Sequence, residues 1–176
     1  MLKKILLALG LAVIVFLVVA ALQPADFKIT RSATVAAPPA AVFEHVNDYH
    51  KWQDWSPWAK MDPAMKVTYE GPASGKGASY AWVGNSKVGE GRMSITDSDP
   101  AKRVTMKLEF LKPFAATNTA EFTLAPEGSG TTVTWTMTGK NNFMAKAFGL
   151  VMNMDKLVGK DFEKGLSNLK EIVEKK

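Results

Sequence analysis

The chain has no cysteine and only two histidines, His45 and His50, in 176 residues. The first absence excludes disulfides, thiol nucleophiles, lipidated cysteines and cysteine-based metal sites. The second leaves too few imidazoles for a zinc constellation. No Ser, Asp or Cys pattern around either histidine makes a triad, so both are expected as exposed or capping residues. Charge of one sign is not concentrated either: 22 Lys and Arg face 17 Asp and Glu, a net of +5, with the lysines scattered among acids. That distribution serves solubility and lacks the basic stripe of a nucleic-acid binder. Gly75-Lys-Gly77 lacks the strand-to-helix context of a phosphate loop. Nothing in the sequence calls for a metal or cofactor. The length excludes a multidomain enzyme, and 47% hydrophobic with 22% charged residues describes one ordinary core plus an appendage.

The appendage is the uninterrupted apolar run Ile5–Leu22, preceded by Lys3 and Lys4. As a helix it is about 27 Å long, close to the roughly 30 Å hydrocarbon thickness of a bilayer. Two readings fit. A basic start and small residues at Val19, Ala20 and Ala21 would also suit a cleaved signal peptide, but the run exceeds the usual apolar region of such peptides, which favours an uncleaved anchor. Lys3 and Lys4 then favour a cytoplasmic amino end. The expectation is a single-pass protein of a bacterial-type inner membrane with its domain on the periplasmic side; cleavage would instead release a soluble periplasmic protein. Residues 23–26 read as a linker, and 27–176 as the domain.

After the linker the hydrophobic period becomes two. Phe27, Ile29, Ala33 and Val35 alternate with polar residues, with Arg31 the exception on the apolar side. Pro38 and Pro39 end this strand, and Pro39 opens a short helix, followed by a second short helix or turn through Tyr49 to Trp55. Six further strands are expected near residues 65–70, 77–83, 87–96, 102–111, 114–125 and 131–139. The last three alternate cleanly: Val104, Met106, Leu108 and Phe110; Phe114, Ala116, Asn118, Ala120, Phe122 and Leu124; Val133, Trp135 and Met137. Their other face is rich in threonine, so one face meets water and the other is covered. The cover is a long terminal helix whose Met154, Val158, Phe162, Leu166, Leu169 and Val173 share one side. The fold class is α+β, a curved antiparallel sheet of seven strands closed by one long helix.

Several stretches carry a family resemblance: Ala37-Pro-Pro-Ala-Ala-Val-Phe43, Trp52-Gln-Asp-Trp-Ser-Pro-Trp58, Val88-Gly-Glu-Gly-Arg-Met93, Lys112-Pro-Phe114 and Gly130-Thr-Thr-Val-Thr-Trp135. From Phe27 onward the chain resembles the START-like and pollen-allergen-like helix-grip superfamily, and within it the polyketide cyclase/dehydrase-like (SRPBCC) group. The resemblance implies a cavity between sheet and helix for lipids, polyketides or other apolar molecules, and catalysis in only some members. It transfers no catalytic motif.

On the covered face, large groups stand beside small ones, a mixture that leaves voids or fills an irregular core. The candidate ligand contacts are Tyr80, Trp82, Met93, Met106, Leu108, Phe110, Asn118, Ala120, Trp135, Met137, Met152, Phe162 and Gly165, with Trp58 at the rim. Asn118, an amide on an apolar face, needs a partner in a ligand, in the backbone or in water. Gly149, Gly159 and Gly165, in a helical region, point to a packing or space-making demand. Trp52 and Trp55 are expected to clasp the short helices to the sheet. Glu90 is the one general acid/base candidate, although strict alternation turns it outward unless a glycine bulge intervenes. Three functions follow: a membrane-anchored binder of a small hydrophobic ligand, favoured; a cyclase, dehydratase or hydrolase using the same cavity; and an interaction domain with a filled core. A cavity above roughly 300 Å³ would favour binding over interaction.

Overall fold

A computed structural model describes residues 1–175. Helix α1 (Leu2–Leu22) is apolar on every side and exposed along its length except at Ala20. By length and composition it is able to cross a membrane. The domain opens with β1 (Asp26–Val35), then α2 (Pro39–Val46), a 3₁₀ turn at Tyr49–Lys51 and α3 (Trp52–Trp55). Six strands follow: β2 (Lys66–Glu70), β3 (Ser79–Val83), β4 (Glu90–Asp99), β5 (Arg103–Lys112), β6 (Ala116–Glu127) and β7 (Gly130–Lys140). The chain ends in α4 (Phe143–Val151) and α5 (Met154–Glu174).

The sheet order is β1-β7-β6-β5-β4-β3-β2, antiparallel throughout. This is the seven-stranded α+β arrangement that the alternation and the terminal stripe predict, and the helix-grip layout that the family resemblance implies. Register shifts at Glu90/Gly91 and Ile95/Asp97 interrupt the β4–β5 ladder, and such irregularities bend a sheet and increase its twist.

Two details differ from the sequence reading. Phe114 was expected on the covered face of a strand; it lies in the β5–β6 turn, 59% exposed, because β6 begins only at Ala116. The terminal helical region is also two helices. Asn142 Oδ1 accepts from the Ala145 amide and Asn153 Oδ1 from the Lys156 amide, both at 2.9 Å, so each asparagine starts a helix. Met152 between them is extended.

Helix α5 lies along β1, and Arg31 fixes it there. The guanidinium donates to Glu163 Oε1 at 2.7 Å, to Asp155 Oδ2 at 3.1 Å and to the Asp155 carbonyl at 3.0 Å. These partners hold the Arg31 proton more tightly than usual and depress the Asp155 carboxyl. A cation on the covered face is thus paired by acids from the helix above it. Gly159 makes the approach possible, since a Cβ there would run into the guanidinium. Further along, Lys170 Nζ donates to the Thr34 carbonyl at 2.9 Å, and Glu174 accepts from the Ala36 amide.

Gly159 and Gly165 of α5 therefore serve close contact rather than empty space. A Cβ at Gly165 would sit 2.8 Å from the Trp135 ring and 3.1 Å from Pro57, whereas Gly149 has nothing within 4 Å. Ala has better helix propensity by about 1 kcal/mol at either site, but overpacking costs about 1–3 kcal/mol. Gly165→Ala is expected to lower the denaturant midpoint, and Gly149→Ala to leave it unchanged or raise it. Equal effects of the two substitutions in urea titrations would contradict this packing.

Candidate functional site

The inner face of the sheet is closed in two different ways. Over β5 and β6, α2 and α3 seal it with side chains that are almost wholly buried: Val42, Val46, Tyr49, Trp52 and Trp55 against Val104, Met106 and Phe122. The indoles fasten this layer, with Trp52 Nε1 donating to the Val46 carbonyl at 3.1 Å and Trp55 Nε1 to the His45 carbonyl at 3.2 Å. Asn168 of α5 donates to the Trp55 carbonyl at 3.0 Å and joins the layer to the terminal helix. Trp52 and Trp55 are the clasp that the sequence suggests.

Between the inner strands, the Trp58 loop and α5 lies a cavity of about 250 Å³. Its walls come from β3 (Tyr80, Trp82), β4 (Met93), β5 (Leu108, Phe110), β6 (Ala120), β7 (Trp135, Met137) and α5 (Val158, Phe162). Trp52 and Ser56 close one side, and Trp58, Met65, Lys87 and Val88 stand around it from the loops. The lining is overwhelmingly apolar, as in small-molecule sites, but the volume falls just below the ~300 Å³ at which such sites usually start.

Aromatic packing shapes the walls. Trp135 stacks on Phe162, with ring centroids 4.1 Å apart and planes 2° apart, and on Phe122 at 4.7 Å. Trp58 meets Trp135 and Phe162 edge-on. Trp82 lies over Gly91, whose missing side chain leaves room for the indole, and meets Phe110 edge-on. The Trp82 Nε1 donates to the Val88 carbonyl at 3.0 Å, which ties the wall to the β3–β4 loop.

Tyr80, Trp82, Met93, Leu108, Phe110, Ala120, Trp135, Met137, Phe162 and Trp58 thus come together around one space. Four candidates do not line it. Met106 faces inward as expected, but lies under the seal, where its sulfur accepts from the Tyr49 hydroxyl at 3.8 Å. Asn118 is 7% exposed, packed where Gly139 has no side chain, with Nδ2 3.9 Å from the Met137 sulfur. Gly165 is pressed against Trp135 and Pro57. Met152 is 46% exposed in the joint between α4 and α5, away from the covered face. Glu90 precedes a register shift, yet its carboxylate remains on the outer side and pairs with Lys112 Nζ at 2.8 Å. The histidines differ from each other. His50 stacks on Tyr69 at 4.0 Å, while burial and nearby Lys51 lower the His45 pKa.

Ser56, Met65, Lys87, Val88, Val158 and Asp161 line the cavity without being among the sequence candidates, and Asp161 is the carboxylate among them. Burial raises its carboxyl above the ordinary range, and a hydrogen bond with the Trp58 side chain partly offsets the rise. Tyr80 is also raised, chiefly by burial, and its hydroxyl accepts from Gln53 Nε2 at 3.4 Å. Trp135 leaves its indole nitrogen buried and without a partner. The site is an apolar chamber with a small number of polar groups, and among the described residues no hydrogen bond joins two of its titratable side chains.

The sequence from 26 to 174 matches the family described as "Polyketide cyclase / dehydrase and lipid transport". The chain belongs to that family. Among functionally curated proteins none matches. Protein CV1439 from Chromobacterium violaceum is similar in structure, with a TM-score of 0.62 at 14% identity, covering 85% of this chain and 98% of that one. The KanY protein, solved in solution, gives 0.63 at 19% identity over 85% of this chain and 98% of its own. The Aha1 dimer subunit from Colwellia psychrerythraea gives 0.61 at 16% over 85% and 97%. At these identities the likeness is one of fold. The family description points to a hydrophobic ligand as the class of partner.

The raised Asp161 carboxyl has a pH consequence. The folded chain takes up this proton at a higher pH than the unfolded chain, so stability falls as pH rises from the ordinary value of 3.8 through the folded pKa. Above that window the cost is constant; below about pH 4 both states are protonated and it vanishes. Asp161→Asn is expected to raise Tm at neutral pH, with the gain shrinking as pH falls. A difference independent of pH in thermal scans from pH 3 to pH 8 would contradict the assignment.

Proposed function

We propose that this protein is a membrane-anchored binding protein that holds a small hydrophobic molecule between its sheet and α5. The observation that carries the reading is the apolar chamber itself, walled by aromatic and aliphatic side chains from five strands and the terminal helix. At about 250 Å³ it suits a compact apolar body or one chain of a larger lipid, the remainder lying at the mouth. Asp161, Tyr80 and Lys87 supply the few polar contacts that would orient such a ligand. Ligand contacts are assigned to Trp82, Met93, Leu108, Phe110, Ala120, Met137 and Phe162, with Trp58 at the entrance.

Anchoring rests on α1, and Lys3 and Lys4 favour an orientation with the domain on the periplasmic side. The full chain is expected to remain with membranes through high-salt and alkaline washing, and protease added outside spheroplasts should trim the domain. A mature amino terminus at Leu22 or Gln23 would make the protein a soluble periplasmic one instead.

Binding has its own test. A chain beginning at Asp26 is expected to take up a fluorescent fatty acid saturably. Ala120→Leu should abolish uptake while cooperative unfolding persists, because the added atoms enter the chamber rather than a tight core. Absence of uptake by the unsubstituted chain, together with a loss of about 1–3 kcal/mol in Ala120→Leu, would indicate a filled core.

A further inference from the structure

Helix α4 is nine residues long, carries one charge at Lys146 and buries none of its residues. Phe143, Met144, Phe148 and Val151 are each at least 45% exposed, and Leu157 in the first turns of α5 is 50% exposed. Phe114, in the β5–β6 turn, continues the surface, its ring 6.1 Å from that of Phe148. Contiguous exposed apolar patches of this kind mark a surface with a partner.

The fold indicates what that partner is. Helix α4 packs against α1, with Lys146 Nζ donating to the Ala21 carbonyl at 3.3 Å and the Asn141 amide to the Ala25 carbonyl at 2.7 Å. The patch therefore begins where the apolar helix α1 ends. From 140 to 160 the chain carries Lys140, Lys146, Lys156 and Lys160 against one acid, Asp155, which Arg31 already pairs. Apolar side chains interleaved with lysines match the boundary of an anionic bilayer. The register places the chamber at this same end of the sheet: Asp26 pairs with Lys140, Lys112 with Glu90, and Glu90 with Val83. Phe110, Lys87, Val88 and Val158 of the chamber wall lie beside these strand ends and beside Leu157.

We propose that α4, the β5–β6 turn and the start of α5 form a second membrane contact. It seats this end of the sheet, with the mouth of the chamber, on the bilayer that α1 enters, so that the ligand is exchanged with the lipid phase. The inference rests on the anchor reading, and its test separates the two.

The absence of native cysteine permits single-site labelling. Val15→Cys in α1, Val151→Cys in α4 and Ser129→Cys in the β6–β7 turn at the opposite end of the sheet would each carry a fluorophore. The labelled full chain would be reconstituted into phosphatidylethanolamine/phosphatidylglycerol vesicles whose acyl chains are brominated at shallow or deep positions. Anchoring predicts loss of fluorescence at 15, greatest with deep bromines. The second contact predicts loss at 151, greatest with shallow bromines, since interfacial helices bury their apolar face about 5–10 Å, and none at 129. Quenching at 15 without quenching at 151 overturns the second contact and leaves the anchor standing. Quenching at neither overturns both, and equal quenching at all three sites reports non-specific association and overturns the docking surface. A separate arm follows transfer of a dansyl fatty acid out of the vesicles. Phe148→Glu is expected to slow that transfer without changing uptake of the same probe from cyclodextrin; equal rates from vesicles would count against exchange at the lipid surface.

Discussion

Trp135 is the side chain through which the layers of this protein meet. It projects from β7 and stacks on Phe162 of α5 and Phe122 of β6, with edges of Trp52, Trp55 and Trp58 around it. Each such aromatic pair contributes about 0.5–1.5 kcal/mol beyond the burial of its surface. The geometry is also exacting, because planes 2° apart fix where α5 lies over the sheet. Gly165 follows from that constraint, since a side chain there would displace either the indole or Pro57. Arg31 holds the same helix near its start, over β1, and Gly159 makes room for it.

The chamber is a consequence of this placement. The sheet presents more apolar inner surface than one helix is able to cover. Helix α5 is held over β1 and β7, and the short helices are held by their indole hydrogen bonds over the far half of β5 and β6. What remains uncovered is the near half of β3, β4 and β5, and the loop bearing Trp58 and the β3–β4 loop enclose it. The same close-packed aromatics that stabilise the domain thus form the walls of a void, which explains why bulky residues such as Trp82 and Phe110 line it.

Much of this was legible in the sequence because period two and period three-to-four patterns report directly which side of a strand or helix is covered. The inner faces of β5 to β7 and the stripe of α5 follow from such patterns, while the family resemblance rests on the order of the elements and on the motifs at 37–43, 52–58, 88–93, 112–114 and 130–135. The division of the inner face into sealed and open halves was not legible. Met106 and Leu108 share one strand face, yet only Leu108 reaches the chamber, because Tyr49, distant in sequence, lies over Met106. Asp161 was hidden by its neighbours: among Lys160, Glu163 and Lys164 it reads as part of a solvated face. The signal was its spacing, three residues after Val158 and four before Gly165, which puts it on the buried side of α5. The break between α4 and α5 carried a signal as well, in Asn142 and Asn153, two good N-caps inside a stretch otherwise read as helical.

The antiparallel ladder links these features. Because β1 runs away from α1 and β7 returns beside it, the end of α1, the start of α4 and the turns at 84–89 and 113–115 occupy one end of the sheet. The opposite end holds the tight turns at 100–102 and 128–129, which are bordered by ion pairs such as Arg103 with Asp97. Apolar exposure is concentrated where the chain leaves α1, whereas ion pairs border both ends of the sheet, Glu90 with Lys112 at this one and Arg103 with Asp97 at the other. A domain with this polarity has its chamber at the end of the sheet from which α1 and α4, both apolar and outside the core, extend, so the separation between α1 and the chamber walls is set by the fold itself, without any rearrangement of the sheet.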